Sequence, residues 1–260
     1  LYLKALFTCL TLIMATLSGA SLAQQSPPTR TELIEFIGQI PELKGTREAM
    51  AQLGYKSPQL DLVVDHEQRL WNDKVIAGYV ADRLIGLYNG NLPNGWAPEG
   101  LIAPLFDSGY TNLSRSDKIF YFKVQSAILN AMSVNECGLI IKGRMSERRL
   151  ERTISRAEAR LSADTLKRYY QLQRTAIRTG VSKAPKTLSP ADSARIQEKL
   201  NAAVRSRIES DPNLKGVAAA MENMNRASTT NACQTGLLYY DTALSMKGRD
   251  LDHVLLYMNE

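Results

Sequence analysis

Apolar positions along this chain recur mostly at intervals of three and four, and no stretch sustains a period-two alternation. That pattern predicts an all-α protein, because a three-to-four spacing lines one face of a helix while strands need alternation. It is sharpest between Arg144 and Arg178. There Leu150, Ile154, Ala157 and Leu161 are followed by Thr165, Tyr169, Leu172 and Ala176, with Leu166, Tyr170 and Ile177 widening the stripe. The bases fall on the opposite face, so the segment predicts an amphipathic helix. Ser146 is placed to cap its start and Gly180 to stop it, and Ser162-Ala163-Asp164 allows a break into two helices.

The remaining elements follow in chain order. Thr29-x-x-Glu32 has the form of a capping box and opens a short helix that Pro41 interrupts; GTREAMAQLG predicts another, ending at Gly54. Ser57-Pro58 launches a long core helix toward Gly90, with a kink expected near Gly78. The Pro- and Gly-rich stretch Asn89 to Gly109 predicts one long ordered loop, whose apolar residues Trp96, Leu101, Leu105 and Phe106 either seal the core or line a recognition groove. Ser114 or Ser116 begins a buried helix that Cys137-Gly138 should end, and GLIIKG reads as a turn, a brief strand or a lead into the basic helix. SKAPKT is a linker, Ser189-Pro190 starts a helix to about Ser210, Asp211-Pro212 starts another, and two more follow, separated by Lys247-Gly248. The expectation is an irregular bundle of about nine helices forming a single domain over 24–260, with a possible sub-boundary near 180–188.

The first 23 residues change the expected compartment. Lys4, the apolar run Ala5 to Leu17 and the small residues around Ser21-Leu22-Ala23 have the parts of a cleaved signal peptide, and the run is short for a membrane span. No other stretch approaches transmembrane length. An exported protein results, with the periplasm preferred over an extracellular location. Two cysteines then remain, Cys137 and Cys233, and in an oxidising compartment their pairing as a disulfide is expected. Neither sits in a CxxC, so metal binding by the pair is not expected.

Charge singles out the same segment as the helical pattern. Arg144 to Arg178 holds ten Lys/Arg and four Asp/Glu, a surplus equal to the +6 of the whole chain. An export signal makes nucleic acid a poor partner, and the basic face fits a protein or an anionic envelope component. Arg148, Arg152, Arg156 and Arg160 are the expected contact residues, with Trp96 on the loop as a second candidate.

Chemical motifs are sparse. His66 follows Asp65 and His253 follows Asp252, which allows a His–carboxylate acid/base or metal site only if the fold gathers them; the spacing matches no HExxH-type pattern, and ordinary helix-surface roles are expected. The run RIESDPNLKGVAAAM, with Glu209-Ser210, resembles over about fifteen residues the glutamate–serine signature of lytic transglycosylases, which are exported helical enzymes acting on peptidoglycan with one acidic residue. The family's glycine–leucine–x–glutamine portion is absent, and Asp211-Pro212 reads more simply as a helix cap, leaving Glu209 as a helix-end residue. There is no GxSxG, GxxxxGK[ST] or GxGxxG. The sequence therefore predicts a non-enzymatic exported protein that binds through a basic helix face, with no metal or cofactor. The alternative is an envelope hydrolase or lyase using Glu209, or a His66/Asp65 site.

Overall fold

The computed structural model describes residues 28–42, 45–88 and 99–259; the expected leader, Trp96 and the first half of the Pro/Gly-rich stretch lie outside them. Among the described residues the protein is all helix. There are thirteen α-helices where about nine were expected: α1 (Arg30–Gln39), α2 (Thr46–Gln52), α3 (Gln59–Trp71), α4 (Lys74–Tyr88), α5 (Glu99–Thr111), α6 (Arg115–Ala131), α7 (Val134–Ile141), α8 (Glu147–Glu158), α9 (Ala163–Ser182), α10 (Pro190–Ser210), α11 (Lys215–Glu222), α12 (Thr229–Ser245) and α13 (Gly248–Tyr257).

The surplus comes from breaks that side chains create. The long helix expected from Ser57-Pro58 is two, because the Asp73 carboxylate accepts from the backbone N–H groups of Val75 at 2.9 Å and Ile76 at 3.4 Å and starts α4 afresh; the chain continues helically through Gly78. Ser57 does not cap α3, and no side chain does. Cys137-Gly138 does not end a helix either. Ser133 and Glu136 form a capping box that opens α7 around them. The basic segment breaks where Ser162 Oγ accepts from Thr165 N at 3.2 Å, and Gly180 lies inside α9 rather than at its end. Much of the expected loop is also helical: Glu99 to Gly109 belongs to α5 despite Pro104, and Leu101, Leu105 and Phe106 are buried.

The described residues form two compact units. The first comprises 113–165 and 186–259, the second 28–112 and 166–185. In the first unit α12 is the central element, packed by α6, α7, α10, α11 and α13. Ile196, Leu200, Val204, Ala243 and Val254 make one of its cores. Cys137 on α7 is joined to Cys233 on α12, with Cα atoms 5.2 Å apart and a sequence separation of 96. The two helices touch so closely there that a Cβ on Gly138 would stand 2.0 Å from the Thr229 carbonyl oxygen, and one on Gly236 2.3 Å from Ile141 Cδ1. Glycine at these positions is a packing requirement.

The second unit packs α1 against α3 and α4, and α2 against α3. Here α5 crosses α9 through a reciprocal glycine contact: a Cβ on Gly109 would lie 1.6 Å from the Ala176 carbonyl oxygen, and one on Gly180 1.9 Å from that of Leu105. Beyond the crossing, Ser108 Oγ donates to the Lys183 carbonyl at 2.8 Å and Asn112 Nδ2 to that of Ala184 at 2.9 Å. These bonds satisfy carbonyls that the helix end would otherwise leave open.

Candidate functional site

Helix α8 turns Thr153, Ile154, Ala157 and Glu158 inward. At ~100° per residue, Arg148, Arg149, Arg152 and Arg156 then fall in a sector of roughly 100° on the other side, and Arg160 follows just past the helix end. All five are exposed. Arg148, Arg152 and Arg156 are spaced by four residues, so their attachment points repeat every ~6 Å along the axis. Arg152 Nε donates to the Arg148 carbonyl at 3.3 Å and Arg156 Nε to that of Arg152 at 3.2 Å, which lays these side chains along the helix.

Two members of the row also work in the fold. Arg156 Nη2 pairs with Glu136 Oε1 at 3.0 Å, and Arg160 donates to the Ala131 carbonyl at the end of α6. The Ser133 hydroxyl bonded to Glu136, with the arginines nearby, holds that carboxyl below the usual range, so the pair stays charged at neutral pH. Among the described residues no carboxylate lies within ion-pair distance of Arg148, Arg149 or Arg152. Every base between Gly143 and Leu166 is an arginine. Arginine's planar, always-charged fork suits carboxylate and phosphate oxygens, whereas lysine is a compact point charge.

The histidines lie in different units and in different chemistry. His66 on α3 is 4 % exposed and stacks on Tyr170 of α9, ring centroids 4.3 Å apart at 9°. Its Nδ1 faces Arg174 Nη1 at 3.5 Å. Burial, aided by the Arg174 charge, pushes its pKa down to about 3, so the ring is neutral at any ordinary pH and Nδ1 is the acceptor. Next to it, Glu67 accepts from Trp71 Nε1 at 2.9 Å. The residue keeps some surface, but its carboxyl lies deep, and burial raises its pKa to about 6 against the opposing effect of the Trp71 bond. Asp65 is committed to Arg69 at 2.8 Å. Tyr170 also lines a small depression of about 30 Å³, into which Arg69, Lys167 and Arg174 bring three positive charges and Asp65 one negative.

His253 on α13 belongs to an ion network across α10 and α13. Arg195 bonds Asp250 at 2.7 Å, Lys199 bonds the same carboxylate at 2.7 Å, and Arg249 Nε donates to His253 Nε2 at 3.2 Å. His253 Nδ1 is 3.5 Å from Asp192, whose charge is favoured first by its Ser189 hydrogen bond. The network ties two helices together. Glu209 is exposed near the end of α10, and the adjacent Ser210 hydroxyl donates to the Arg207 carbonyl at 2.9 Å. Asp65 and His66 are thus in the second unit, Glu209 and His253 in the first. No group of three or more His, Cys, Asp or Glu side chains suited to a metal ion occurs among the described residues.

Sequence reasoning singled out the arginine row but passed over Arg174, which it merged into the general basic surplus. The available signal was that Tyr170 and Arg174 share one helix face; that Arg174 would meet a buried histidine depended on tertiary packing. No described helix is long and apolar enough to cross a membrane. Compared with known proteins, the chain matches no family model, no curated protein and no solved structure.

Proposed function

We propose that this is an exported, non-enzymatic helical protein that captures an anionic partner, an acidic protein or an envelope component, through the arginine row of α8. The observation that carries the reading is the row itself: five exposed arginines, four in one sector of α8 and Arg160 just past its end, three of them without a carboxylate in ion-pair reach among the described residues. The disulfide in the first unit suits an oxidising compartment. A surface of this kind accelerates and orients encounter more than it adds raw affinity, so capture should weaken steeply with salt as the screening length falls from ~30 Å at 0.01 M to ~8 Å at 0.15 M.

The test is capture from an envelope extract by the purified protein and by a variant with Arg148, Arg152, Arg156 and Arg160 replaced by glutamine. The expected result is salt-sensitive capture that the variant loses; capture unchanged in the variant removes the row as the contact surface. Incubation with cell-wall glycan should release no product from either the parent or Glu209→Gln. Turnover abolished by Glu209→Gln would replace the binding reading with a hydrolase.

A further inference from the structure

The unit of residues 28–112 and 166–185 holds a second cluster of cations, independent of the arginine row. Arg174 is half-buried; burial first and then the neighbouring charge of Arg69 oppose its charge, and the more distant carboxylates of Asp65 and Asp73 offset part of this. Arg69 has a partner in Asp65. Arg174 and Lys167 have no carboxylate within ion-pair reach among the described residues, yet both line the same depression. Arg69, Lys167 and Arg174 against Asp65 leave a surplus of two positive charges at the depression, and a partly desolvated cation there gains from an anion in direct contact.

A residue behind the lining holds Arg174 in place. Neutral His66, stacked on Tyr170, offers Nδ1 as an acceptor to one guanidinium N–H of Arg174. Of the five N–H donors of an arginine, that leaves most for a ligand. His66 is therefore a positioning residue: it orients Arg174 without contributing charge. The cavity is small, about 30 Å³, so a ligand's head group seats at the mouth with its remaining atoms in solvent.

We propose that this depression binds the phosphate group of a small ligand, held by Arg174 and Lys167. A phosphate carries ~1.5 to 2 negative charges at neutral pH, which matches the two unpaired cations better than the single charge of a carboxylate does. Arginine supplies two parallel donors to adjacent oxygens, and lysine adds a flexible point charge.

Inorganic phosphate and acetate are the probes, titrated calorimetrically into the full chain. The protein should carry Arg148→Gln, Arg149→Gln and Arg152→Gln, so that the arginines of the α8 row without an ion-pair or hydrogen-bond partner elsewhere in the fold, among the described residues, do not contribute. Phosphate is expected to bind more tightly than acetate. Arg174→Gln should weaken phosphate by about tenfold or more, the scale for losing hydrogen bonds to a charged group. Lys167→Gln, at an exposed position where folding is not at stake, should weaken it about threefold. His66→Phe keeps an aromatic ring on Tyr170 but removes the acceptor, and should weaken phosphate while leaving the Lys167→Gln decrement unchanged. In the parent, phosphate should shift the His66 ring resonances. The proposal is overturned if acetate binds as well as phosphate, if Arg174→Gln and Lys167→Gln bind phosphate like the parent, or if Lys183→Gln weakens it as much as Lys167→Gln does.

Discussion

The two units of this protein place their ionisable groups in opposite ways. The unit of residues 113–165 and 186–259 holds 19 bases and 14 acids, displays its excess on the surface of α8, and is fastened by a disulfide. The other unit is close to balanced, and its described residues include no disulfide. It buries a histidine and a carboxyl side by side in α3 instead. An outward charge row alters association and leaves folding almost untouched, since exposed ion pairs contribute little. Inward charge does the reverse, because a buried titratable group links folding to pH. The comparison assigns long-range attraction to one half of the chain and acid response to the other.

The largest expected effect lies in the first unit. Closing a loop of about a hundred residues stabilises a fold by at most ~4 to 5 kcal/mol in the chain-entropy model. Cys137→Ser with Cys233→Ser should lower the protection of amides in 113–165 and 186–259 by an amount of that order in hydrogen exchange. Amides in 28–112 should keep their protection; equal losses in both units would erase the distinction drawn here.

Glycine contacts supply the next largest effect, and they test both units at once. Gly138→Ala forces a Cβ against the Thr229 carbonyl, and Gly109→Ala forces one against that of Ala176. Each should cost ~3 kcal/mol in denaturant unfolding, the upper part of the range for overpacking, because backbone cannot yield as a flexible side chain can. Gly86→Ala on α4, where a Cβ meets nothing, should be neutral or slightly stabilising.

The smallest of the three effects is the most diagnostic of inward charge. His66 has its folded pKa depressed from 6.5 to about 3, so the unfolded chain takes the proton first, and the contribution present above pH 6.5 is lost as pH falls toward 3. Between pH 7 and 5 that loss is ~2 kcal/mol. Glu67 has its folded pKa raised from 4.5 to about 6, so its stabilising effect is complete below 4.5 and disappears as pH rises through 6. Over the same fall from pH 7 to 5 it returns ~1 kcal/mol. The parent should therefore lose only ~1 kcal/mol between pH 7 and 5, Glu67→Gln should lose ~2, and His66→Phe should gain ~1, read from urea midpoints. A parallel response in all three proteins would show that neither group is buried in a way that matters.

What the sequence made legible was local. Thr29, Ser114 and Ser189 cap the helices they were expected to open, and the two cysteines pair. Each of these depends on residues a turn apart, or on a choice with only one partner left. The class was equally plain from the apolar spacing. Missed features depend on contacts distant in sequence or on residues with two roles. Asp73 looked like one more polar position on a long helix, but its carboxylate ends one helix and starts the next. Gly180 looked like a helix stop and Gly109 like the end of a loop, and they are glycines because two backbones meet there. The stretch around Pro104 carried enough Pro and Gly to suggest a loop, yet buried Leu101, Leu105 and Phe106 favour a helix. The depression lined by Asp65 and Arg69 of α3 and Lys167 and Arg174 of α9 needed the two helices brought together before it could be seen at all.

The bond between α7 and α12 also decides what a protease can achieve. Residues 183–187 are exposed, include Lys183 and Lys186, and lie between the two bridged cysteines in sequence. A trypsin-like cut there yields two polypeptides that still migrate as one species until a thiol reagent is added. Nicking alone cannot shed the arginine-bearing half, and its release takes scission and reduction together.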